Sequence, residues 1–62
     1  MSKFTARVEV VGPVYRDVIV FGDSQAELVA MAQSEWARLV GGQVGNAQAT
    51  QMEILEKETN ND

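Results

Sequence analysis

Asp17 lies in the run Val14-Tyr15-Arg16-Asp17-Val18-Ile19-Val20-Phe21, among apolar residues on both sides. A carboxylate on an apolar strand face has its charged form disfavoured and its proton affinity raised, which is how an acid–base catalyst is made. The commoner outcome is an ion pair with an arginine, here Arg7, Arg16 or Arg38. The 62 residues contain no cysteine and no histidine, so the remaining acid–base groups are the carboxylates, Lys3, Lys57 and Tyr15. No nucleophile with an adjacent base is visible among them. Glu35 has Arg38 three positions further along, the spacing of a helical ion pair. The expectation is a protein that is not an enzyme. The usual metal ligands are missing, and no cofactor motif replaces them. The glycine-rich stretch Gly41–Gln48 resembles a phosphate-binding loop in composition only. Such loops precede a helix and use its amides, whereas this one leaves a helix C-terminus, where carbonyls point outward.

Binding chemistry is a second possibility. Lys3, Arg7 and Arg16 with Tyr15 or Phe21 would make a sheet able to stack single-stranded bases. Against this, nine acidic and five basic side chains give a formal charge of −4, the wrong sign for phosphate. The acidity suggests the opposite role. A compact acidic chain can occupy a nucleic-acid-binding site on another protein, as phage-type inhibitors do, with Glu9, Asp17, Glu53 and Glu56 standing where phosphates would sit. A solvated C-terminal segment accounts for Glu53, Glu56, Glu58 and Asp62 equally well.

The elements that would position these groups begin with one helix over Ser24–Val40. Ser24 can cap the first turn while Glu27 returns to the Ser24 amide. At about 100° per residue, Leu28, Val29, Ala32, Trp36, Leu39 and Val40 share an apolar arc, and Glu27, Ala30, Ser34, Ala37 and Arg38 lie opposite. Trp36 is the expected core aromatic, with an N–H near the rim, and Met31 beside Glu35 is gap-filling or contact surface. Gly41-Gly42 ends the helix, and a flexible loop follows to Gln48.

Three strands surround that helix. In the first, Phe4, Ala6, Val8 and Val10 alternate with Lys3, Thr5, Arg7 and Glu9, giving one buried and one wet face. Gly12-Pro13 breaks the run and marks a hairpin connection. The second strand, Val14–Phe21, is apolar at both parities: Val14, Val18 and Val20 at one, Tyr15, Ile19 and Phe21 at the other. Without the turn type, the choice of core face stays open. Either choice leaves large apolar groups on the far side, and one helix cannot cover both faces. The third strand, Ala49–Lys57, has Thr50, Met52 and Ile54 on one face and Gln51, Glu53, Leu55 and Lys57 on the other. Residues 58–62 are expected to be a disordered polar tail.

The fold class that follows is α+β: a single ββαβ domain over residues 1–57, with the helix on one face of a mostly antiparallel sheet. The preferred order is 2-1-3, because the first strand is unbroken by Gly or Pro and suits the centre. The second strand is then an edge, and an apolar edge tends to find another strand. The expected function is a small protein-interaction or regulatory module. It is dimeric through the second strand or the open sheet face, with Tyr15, Asp17, Ile19, Phe21, Arg7 and Glu9 at the interface. Its partners are a second copy and another protein, with neither membrane nor small molecule. No apolar stretch has the length of a signal peptide or membrane span, and the lack of cysteine suits a cytoplasmic location.

Overall fold

The alternation of the N-terminal residues produces the central element. The computed structural model describes residues 2–59; there β1 (Ser2–Val11) pairs antiparallel with β2 (Arg16–Gly22) on one side and with β3 (Gln48–Thr59) on the other. The order is β2-β1-β3, as the unbroken first strand implied. Helix α1 (Gln25–Val40) connects β2 to β3 and packs on one face, completing the ββαβ, α+β architecture. Twelve extended residues at about 3.3 Å each span about 40 Å. The length of β3 thus sets the longest dimension of 43 Å, against 16 and 15 Å for the others.

The core settles the parity of β2. Ala6, Val8 and Val10 of β1 and Val18 and Val20 of β2 are buried with Leu28, Ala32, Trp36 and Ala47. Burying each of the larger apolar side chains contributes roughly 1.5–3 kcal/mol. The strand begins at Arg16, two residues later than the pattern suggested, because Val14 and Tyr15 belong to the hairpin connection. The Trp36 indole N–H donates to the Val14 carbonyl at 2.7 Å, so the largest core side chain also fixes that connection. Gly12 makes room for the ring: a Cβ there would lie 2.5 Å from Trp36 Cζ2 and 2.9 Å from the Asn46 carbonyl oxygen.

Both helix ends follow capping chemistry, with one difference from expectation. The Glu27 amide donates to Ser24 Oγ at 3.2 Å, but the Glu27 carboxylate accepts from the Asp23 amide at 2.7 Å rather than from Ser24. Ser24 is extended (φ −146°, ψ 163°), and the long Glu27 side chain reaches the amide one residue further back. At the other end Gly41 is left-handed, with φ 70°. The apolar arc also needs correction in its last turn. Leu39 has the right angle yet is exposed, whereas Ala37 from the predicted wet side is half-buried against the core. Periodicity assumes one flat neighbour along the whole helix. Here the chain folds back over its end, bringing Gly42 against Trp36 and Val40.

That returning segment is organised rather than loose. Val44–Asn46 form a 3-10 turn, Ala47 is buried, and Gln33 Nε2 donates to the Ala47 carbonyl at 3.1 Å. The third strand starts at Gln48 and runs to Thr59, so Glu58 and Thr59, expected in the tail, belong to the sheet; residues 60–62 lie outside the described residues. Two register shifts interrupt its pairing with β1, leaving Thr50 and Leu55 as extra residues. The second shift reverses parity. Lys57, expected beside Glu53, instead pairs with Phe4 toward the helix side, its Nζ 5.9 Å from the Phe4 ring centroid.

Candidate interaction surface

Since the alternate residues of β1 and β2 point into the core, those between them make an open face, and three strands give it three columns. On β2 stand Asp17, Ile19 and Phe21; on β1, Lys3, Thr5, Arg7 and Glu9; on β3, Gln51, Glu53, Glu56 and Glu58. Read across the sheet, the rows are Phe21–Thr5–Glu56, Ile19–Arg7–Glu53 and Asp17–Glu9–Gln51. The surface is apolar along one margin and acidic along the other.

The apolar margin is large for so small a chain. Ile19 is 57% exposed, Phe21 48% and Tyr15 56%, with Val14 and the helix residue Met31 similarly open. Met31 and Glu35 approach the β2 edge from above, and a recess of about 260 Å³ there is lined by Thr5, Ile19, Val20, Phe21, Met31 and Glu35. All six residues singled out from the sequence (Tyr15, Asp17, Ile19, Phe21, Arg7 and Glu9) come together on this side of the sheet. Arg16 does not join them: it pairs with Val10 at the opposite parity, which divides the basic cluster that a nucleic-acid reading would need.

Several of the charged groups have local partners. The Tyr15 hydroxyl donates to Asp17 Oδ1 at 2.9 Å, in place of the arginine expected to pair with Asp17. That bond, helped by partial burial and the nearby Asp17 and Glu9 charges, pushes the phenol up to about 12. Arg7 forms an ion pair with Glu53 across β1 and β3. Lys3 sits 3.2 Å from Asp23 and 5.6 Å from the centroid of the Phe21 ring. Glu35 and Arg38 make the anticipated helical pair, at 3.1 and 2.5 Å, and the guanidinium holds the Glu35 carboxyl below its usual range. All these groups are exposed or half-buried, so solvent screens each pair and none is a major source of stability.

A second apolar area was not legible from the sequence. The helix leaves the core-side residues of β3 partly uncovered, where Phe4, Gln25, Leu28, Met52 and Ile54 line a groove of about 310 Å³. Ile54 and Leu55 are both about half exposed, which simple alternation cannot reveal because it depends on where the helix lies.

Among the described residues, no group of three or more acidic side chains is placed to hold a metal ion. None of their helices is long and apolar enough to cross a membrane. Comparison with protein-family models, curated proteins and solved structures finds no match to this chain.

Proposed function

We propose that this is a non-catalytic protein-interaction module, which associates with itself and uses the same side of its sheet to engage a second protein in a regulatory role. The observation that carries this is the apolar margin. A chain of 62 residues has few large apolar side chains, and Ile19, Phe21 and Tyr15 stand about half exposed together. Contiguous apolar surface of this kind on a small domain marks an interaction site. The carboxylates of Glu9, Asp17, Glu53 and Glu56 share that side, which favours a partner that is basic and supports the reading of an acidic inhibitor.

Direct binding of single-stranded nucleic acid is the rival. Lys3 over Phe21, with Arg7 on the same face, is the observation in its favour. Yet that face carries two cations, Lys3 and Arg7, against five carboxylates, Glu9, Asp17, Glu53, Glu56 and Glu58. The field opposes phosphate. Sedimentation of the wild type beside Ile19→Asp, followed by titration with a single-stranded oligonucleotide at two salt concentrations, separates the readings. The proposal predicts that the wild type associates, Ile19→Asp is a folded monomer and the oligonucleotide has no effect. Equal, stable monomers would remove its basis, and salt-dependent oligonucleotide binding would establish the rival.

A further inference from the structure

Resting on the reading that the protein self-associates, we infer that the second copy adds at the free edge of β2, β2 against β2 about a two-fold axis. The product is a continuous six-stranded antiparallel sheet, β3-β1-β2-β2-β1-β3, with both helices on the same side.

The two edges of the sheet differ in how they resist pairing. The β3 edge has Glu53, Glu56 and Glu58 on its open face and two bulges along its length, both devices that discourage an added strand. In contrast, β2 pairs with β1 without any register shift, and Val18–Gly22 contains no charge and no proline. Among the described residues, no strand occupies its outer side. Its backbone donors and acceptors are available there, with Met31 above the edge and Ile19 and Phe21 below. An added strand would meet Met31 and the Arg38-paired Glu35 on one face and Ile19 and Phe21 on the other.

Charge excludes the symmetric alternatives. Two open faces can be stacked about an axis along β1, which lays the apolar column of one copy on the acidic column of the other. An axis across the strands instead lays Glu53, Glu56 and Glu58 against the same residues about 10 Å away. Joining β3 to β3 sets those carboxylates on adjacent strands, about 4.8 Å apart. Joining β2 to β2 moves the acidic columns to the two outer margins. Five strand spacings then separate them by roughly 24 Å, far beyond the screening length of about 8 Å. With Ile19 on the axis, Ile19 faces its own copy and Asp17 lies opposite Phe21, so on the open face no carboxylate meets a carboxylate across the seam.

The area is adequate. A standard interface takes about 800 Å² from each partner, roughly a fifth of the 4198 Å² surface of this chain. Val14, Tyr15, Ile19, Phe21 and Met31, each about half exposed, offer on the order of 500 Å² of mostly apolar surface. The seven-residue backbone edge of β2 supplies much of the remainder.

A nitroxide at a single engineered cysteine tests the geometry, since the native chain has no thiol. Gln51 is exposed on the open face of β3, so Gln51→Cys carries the label without disturbing the core. Pulsed dipolar spectroscopy is run at roughly 100 μM, above the micromolar limit for interfaces of standard area. With Gln51 in the row of Asp17, two residues from the axis, the inference predicts a distance of roughly 28 Å. A separation under about 15 Å would overturn the edge geometry in favour of stacked faces or joined β3 edges, while leaving self-association intact. Absence of dipolar coupling, with a monomer in sedimentation, would overturn self-association and with it the geometry.

Discussion

Tyr15 and Asp17 lie two residues apart, one in the hairpin connection and one in β2, and their 2.9 Å hydrogen bond ties the connection to the open face. The donated bond holds the phenol proton, so Tyr15 should titrate with a midpoint near about 12 in place of the ordinary 10.0. The sign follows from linkage: the folded state binds this proton more tightly than the unfolded chain. Stability from the contact is therefore complete below pH 10, and it is lost as pH rises through about 12. Phenolate absorbance should show this directly, since the chain has a single tyrosine. In Asp17→Asn the midpoint should move back toward 10.0; an unshifted wild-type midpoint would contradict the contact. At this scale the sequence was only partly informative. It marked Asp17 as a carboxylate among apolar residues, but its partner depended on the hairpin geometry, and of the arginines nominated for it Arg7 found Glu53 and Arg38 found Glu35, while Arg16 points to the other face.

Among the elements, β1 and α1 were legible because their cues are local. Alternation over residues 3–10 and the Ser24/Glu27 and Gly41 signals act within a few residues, and they yielded the strand and both helix ends. The parity of β2 was not legible, since Gly12-Pro13 allows more than one connection. Nor were the bulges in β3, because Thr50 and Leu55 become extra residues only relative to β1. Their consequence is visible in Lys57, displaced to the helix side. Two glycines give a test of the elements' joints. In Gly41→Ala the new Cβ meets nothing within 4 Å among the described residues, so the cost is that of the left-handed backbone, about 1 kcal/mol. In Gly12→Ala the Cβ drives into Trp36 and Asn46, and overpacking of this kind costs about 1–3 kcal/mol. Urea unfolding should rank Gly12→Ala as the more damaging; the reverse order would mean that the Trp36 contact is not what closes the hairpin.

For the whole molecule, the order 2-1-3 and the surplus of apolar side chains in β2 were both readable from the sequence. The surplus needs no tertiary information, because a strand apolar at both parities cannot be covered by one helix. The sequence named the second-strand edge and the open face as alternatives, and the choice proposed between them could not be read, as it depends on the bulge that brings Glu56 and Glu58 onto the same face as Glu53. A chain of this size gains little from its own core and has no disulfide to constrain it. On the proposed reading, association is then part of the folding equilibrium. The concentration dependence of the urea midpoint tests this most directly, because a dimer dissociating as it unfolds is stabilised by mass action. The midpoint is predicted to rise steadily as wild-type concentration increases and to be constant in Ile19→Asp. A wild-type midpoint that stays fixed across the same series would show that the 6.8 kDa chain folds alone.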